Sequence, residues 1–137
     1  MRLDPVFRYA FYATVATLFL TGAVWLVADR LKDSADSEFW QQTAATLLML
    51  HGGGAMVTLL MLGALVPAHM RYGWRADKNL VTGITMCAAN ILLIVTAFGL
   101  YYLGSETVRP WMSDVHTACG LAAPALLVGH IWWGRRT

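Results

Sequence analysis

The chain has 137 residues, 58% of them hydrophobic and 13% charged, against roughly 25% charged in ordinary soluble domains. That balance excludes a water-soluble globule, and a net charge of +2 confined to short patches gives no ground for a nucleic-acid partner. The expected class is an all-α integral membrane protein.

Four apolar stretches lie between the charged patches, at about 9–28, 43–68, 80–103 and 115–133. Each has about the ~20 residues that cross a ~30 Å hydrocarbon core as a helix. The first is read as a retained span rather than a secretory signal. It exceeds a signal h-region, and the LVADRLKDSADS that follows is charged and lacks a convincing small-x-small cleavage site. The loop Asp29 to Gln42 is the longest connection, with room for a short surface turn before Trp40. The second span carries HGGGA near its start and LVPAHMRYGW at its end. The third carries Asn90 near its middle, a residue suited to bonding a neighbouring helix or the edge of a bound group. The fourth runs through DVHTACGLAAPALLVGHIWWGRR, where Pro124 is expected to kink it. Connections this short make neighbouring spans antiparallel. The expectation is a single domain over 1–137, a four-helix up-down bundle.

Basic residues set the orientation. The N-terminus (Arg2, Arg8), second loop (Arg71, Arg75, Lys78) and C-terminus (Arg135, Arg136) hold seven of the ten. The other two loops hold Arg30, Lys32 and Arg109. The positive-inside bias places both termini in the cytoplasm, and tryptophans 25, 40 and 111 on one side and 74, 132 and 133 on the other mark the two interfaces. Cys87 and Cys119 sit inside spans with no C-x-x-C-H and read as buried spectators. No internal repeat is visible.

The histidines carry the chemistry. All four fall on two spans: His51 and His69 on the second, His116 and His130 on the fourth. Ionisable groups at membrane depth are costly enough to be functional by default, and imidazole is a common metal and haem ligand. His51 and His69 are 18 residues apart, five turns, and His116 and His130 are 14 apart, nearly four turns, so each span presents its pair on one face. Spans two and four run in the same direction. His51 therefore pairs with His116 near one surface and His69 with His130 near the other. Gly54, Ala55 and Thr58 on span two, and Gly120 and Ala123 on span four, leave room along the same stripes for close approach of a helix or a flat macrocycle. The two separations correspond to ~27 Å and ~21 Å of rise, a mismatch of about one turn. Tilt, distortion at Gly52-Gly53-Gly54 or a bend before Pro67 would absorb it. A single-haem arrangement, with His69 or Met70 elsewhere in the interface, stays open.

HGGGA, LVPAHMRYGW and DVHTACGLAAPALLVGHIWWGRR together resemble the small four-helix di-haem b-type cytochromes of prokaryotic respiratory membranes. More distantly they are similar to the haem core of the cytochrome b subunit in quinol oxidoreductases. The resemblance covers nearly the whole chain and rests on the histidines and their glycines. It implies His51, His69, His116 and His130 as axial ligands of two b-type haems in the cytoplasmic (inner) membrane. It also implies exchange of electrons with the quinone pool and with a redox partner subunit, a periplasmic cytochrome or an iron-sulfur protein. Nothing in the chain forms an extramembrane catalytic domain, so no catalytic residue is assigned. A transporter or proton relay would need Asp or Glu inside the spans, which carry none, and a haem-free assembly subunit would need no cofactor at all. Arg71, Arg75, Arg135 and Arg136 satisfy topology without a site, yet one or two of them, and Arg109 outside, could pair with haem propionates.

Overall fold

In lipid the backbone must satisfy its own hydrogen bonds, which leaves helices or closed barrels. The computed structural model describes residues 4–76 and 79–136, Ala68 by its backbone alone. Its regular structure is helical throughout: α1 Pro5–Leu31, α2 Ser37–Ala76, α3 Leu80–Tyr102 and α4 Val108–Gly134. All four are long and apolar enough to cross a membrane. Arg2 and Lys78, two of the residues used to read orientation, lie outside the described residues.

The helices overrun the apolar stretches, because polar residues are excluded from hydrocarbon but not from helix. α1 starts early because Asp4 caps it, its carboxylate accepting from the Val6 and Phe7 amides at 2.9 and 3.1 Å with Pro5 in the first turn. At the other end Lys32 pairs with Asp29 at 2.9 Å. The expected long loop from Asp29 to Gln42 is therefore corrected to residues 32–36, closed by Ser34 N donating to Leu31 O. α2 has 40 residues, ~60 Å of rise and about twice a membrane crossing. α2 continues through Pro67 and α4 through Pro124.

The chain forms two compact units, Met1–His69 and Met70–Thr137. In the first, α1 and α2 form an antiparallel hairpin: Thr21 meets His51, Leu18 meets Gly54, and Thr14 meets Met61. In the second, α3 and α4 do the same, with Gly99 against Met112, Thr96 against His116, and Thr82 against His130. Arg109 closes this hairpin by donating from Nη1 to Leu100 O at 2.6 Å. Asn79, in the left-handed conformation that Asn tolerates, turns the chain into α3 and packs its side chain beside Gly134.

Burial inverts the pattern of a soluble domain. The buried residues are small, Thr21, Ala28, Ala44, Thr96 and Gly99 among those described, while large apolar side chains such as Leu60 and Val81 stand more than three-quarters exposed. Apolar surface on this scale marks a membrane or protein interface, and four helices of spanning length agree with the first.

Candidate functional site

A threonine hydroxyl within a helix can bond the carbonyl one turn back. Thr21 Oγ1 donates to Thr17 O at 2.7 Å and Thr96 Oγ1 to Leu92 O at 2.6 Å. With the proton committed, each oxygen still has lone pairs for a donor from the next helix. His51 Nδ1 lies 3.1 Å from Thr21 Oγ1, and His116 Nδ1 lies 2.9 Å from Thr96 Oγ1. His51 Nδ1 is also 3.0 Å from the Leu18 carbonyl, which only accepts. The Leu18 carbonyl puts the His51 proton on Nδ1, and at His116 the Thr96 oxygen, its own proton directed to Leu92 O, is placed to accept one there. The neutral ring then carries its lone pair on Nε2.

Thr21 and Thr96 are also the buried polar side chains among the described residues. A hydrogen bond in so dry a place is electrostatically stronger than one in water. The two histidines, one in each hairpin, are thus held in the same way.

His130 repeats the arrangement. Its Nδ1 lies 2.9 Å from Thr82 Oγ1, which reaches back to Asn79 O at 3.3 Å. Thr82 and Thr96 are 14 residues apart on α3, as His116 and His130 are on α4. Equal spacing on two antiparallel helices yields two rungs separated by ~21 Å of rise. Beside the His130 rung is a cavity of about 160 Å³ that Met86, Ala125 and Gly129 also line.

Each rung threonine is followed by a small residue, Gly22, Gly83 or Ala97. At Gly22 the fit is tight, since a Cβ there would stand 3.1 Å from His51 Cε1 and the ring would have to give by a few tenths of an ångström. At Gly83 the corresponding distance to His130 Cε1 is 3.9 Å, an ordinary contact.

His69 differs. It is exposed and lies toward the C-terminal end of α2.

Other sequence-selected residues take more local roles. Asn90 Nδ2 donates to Met86 O at 2.8 Å, so its amide nitrogen serves its own helix rather than a neighbour. Gly54 packs against Leu18 of α1, and Gly120 meets Leu93 at van der Waals distance, so both small residues serve helix contact within their hairpins. Cys87 and Cys119 are half-buried rather than buried, and Cys87 Sγ lies 4.0 Å from Met70 Sδ. Arg136 stacks over the Trp132 ring at 3.5 Å, a cation–π contact at the end of α4.

Sequence reading missed Thr21, Thr82 and Thr96. A signal for two of them was present, since Thr82-Gly83 and Thr96-Ala97 share the 14-residue period of His116 and His130. The recurrence is of one contact rather than of a sequence repeat, and so leaves no run of similar residues to notice.

No family model, curated protein or solved structure matches the chain.

Proposed function

We propose that the chain is a membrane-embedded b-type cytochrome that carries electrons across the bilayer as a subunit of a respiratory oxidoreductase. The observation that carries this reading is the shared setting of His51 and His116. Each has Nδ1 within 3.1 Å of a buried threonine hydroxyl, which supports a proton on Nδ1 and a lone pair on Nε2, the state a neutral ligating imidazole needs. The donor set fits haem: four imidazoles on two helices, of which His51, His116 and His130 are each oriented by a neighbouring helix.

Under this proposal His51 and His116 would hold one haem and His69 and His130 the other. Haem would supply one-electron redox chemistry, and histidines filling both of its ligand positions would disfavour oxygen chemistry. The protein's part is to hold the rings, exclude water with the apolar faces of α1 to α4, and set the spacing. Both termini are assigned to the cytoplasm and the membrane to the prokaryotic inner membrane, on the distribution of basic residues. The quinone pool is the proposed membrane partner, and a periplasmic cytochrome or iron-sulfur protein the proposed redox partner.

A visible spectrum of the purified protein tests the reading directly. Sharp reduced α and Soret bands are expected, with about two haems per chain. A colourless protein from a haem-replete host overturns the proposal and favours the transporter or assembly classes. A second reading, one haem per chain, is favoured by the exposure of His69. It predicts that His69→Ala leaves the spectrum and the haem content unchanged.

A further inference from the structure

We infer that Thr21, Thr82 and Thr96 are positioning residues, whose hydroxyls select the Nδ1–H tautomer of His51, His130 and His116 and so decide which ring nitrogen each histidine offers as a ligand. The tautomer part stands on geometry, and its consequence for a bound group rests on the haem reading above.

The argument begins with the ring. A neutral histidine free of neighbours prefers its proton on Nε2, which would leave Nδ1 as the ligand atom, close to the backbone and hard to reach. An acceptor at Nδ1 reverses that preference. All three threonines supply one within 3.1 Å. At Thr21 and Thr96 the hydroxyl proton is engaged by the carbonyl one turn back, at 2.7 and 2.6 Å, so the oxygen faces the imidazole as an acceptor. Burial of both threonines keeps water from competing for the Nδ1 proton. Thr82 and Thr96 share the period of the histidines they serve, so a single face of α3 orients both rings of α4.

Valine has nearly the shape of threonine but no acceptor. In the full chain carrying ¹⁵N-histidine, in nanodiscs and produced without haem supply, His116 is expected to show a protonated Nδ1. Thr96→Val should shift it toward the Nε2–H form, and Thr96→Ser should restore it. Produced with haem, Thr96→Val should hold that haem ~10-fold more weakly, the lower end of what loss of a supporting hydrogen bond costs a ligand. Its midpoint potential should rise, because a ligand that no longer donates through Nδ1 is less basic and stabilises the oxidised iron less. Thr96→Ser should recover both. Thr46→Val is the control: it deletes the same kind of bond, Thr46 Oγ1 to Gln42 O at 2.9 Å, at an exposed position of α2, and should move none of these readouts.

An unchanged tautomer in Thr96→Val, or a potential that rises equally in Thr96→Ser and Thr96→Val, overturns the inference. If no form of the chain binds haem, the haem reading falls, and the tautomer measurement alone decides the role of the threonines.

Discussion

The two hairpins use one contact with different redundancy. In the second, α3 and α4 carry two threonine–histidine rungs, Thr96 with His116 and Thr82 with His130, on equal spacings. In the first, among the described residues, Thr21 of α1 meets His51 of α2, and this histidine is held twice, by the Thr21 hydroxyl and the Leu18 carbonyl. The difference teaches that one contact can be repeated along a hairpin or doubled at one ring: Thr82 and Thr96 share the spacing of His130 and His116, while the Thr21 hydroxyl and the Leu18 carbonyl converge on His51.

The sharpest way to break the comparison is to ask whether each haem draws on both hairpins. His51→Ala and His116→Ala are expected to remove the same haem, with the double variant little worse than either single one, as for residues acting as a unit. His130→Ala should remove the other. Haem content and the reduced α band read this out. Were His116→Ala and His130→Ala to deplete one haem while His51→Ala and His69→Ala depleted another, each hairpin would hold its own haem and the proposed pairing would be wrong.

A smaller effect distinguishes the two glycines beside the rungs. Gly22→Ala would place a Cβ 3.1 Å from a ring anchored by two hydrogen bonds, so the ring must move. We expect a perturbed haem spectrum and reduced haem retention. Gly83→Ala meets His130 only at 3.9 Å and should leave the spectrum intact, with up to ~1 kcal/mol gained from helix propensity. Equal spectral effects from the two would show that the rungs are equally tolerant and remove the contrast.

Least affected should be the connections. Arg109→Ala loses a charged hydrogen bond across the hairpin end, 2.6 Å from Leu100 O, at a cost of about 1 kcal/mol at an exposed site. Asp29→Asn should leave the thermal midpoint unmoved, since the Asp29–Lys32 pair is exposed on the surface. Beside the Asp29 carboxylate, Lys32 is held above its ordinary value of 10.5. Whatever that pair contributes is present below that pH and lost as pH rises through the raised value. Thermal scans of both variants at neutral and alkaline pH check the ordering.

Much of the molecule was legible before folding. Tyr9 to Ala28, Thr43 to Ala68, Leu80 to Leu103 and Val115 to Trp133 each lie within or nearly within a helix, because hydropathy and backbone satisfaction act over neighbouring residues. Helix ends were less legible. Asp4-Pro5 and Asp29–Lys32 extend α1 through caps and ion pairs that a hydropathy window does not register. His51, His69, His116 and His130 stood out because ionisable groups are rare in apolar segments of spanning length. Thr21, Thr82 and Thr96 did not, because Thr14, Thr17, Thr46, Thr58 and Thr85 look the same in sequence and bond their own helices in the same way.

The sequence by itself thus determined a membrane-type composition, four helices and the identity of the candidate ligands, all consequences of local chemistry. Only the tertiary structure decided which threonine faces which histidine, and hence which ring nitrogen keeps its lone pair. That choice depends on the register of two antiparallel helices, set by the short turn at residues 32–36 in one hairpin and by Asn79, Gly134 and the Arg109–Leu100 bond at the ends of the other. Register sums contacts between residues 20 to 48 positions apart, and no local pattern in the chain encodes it.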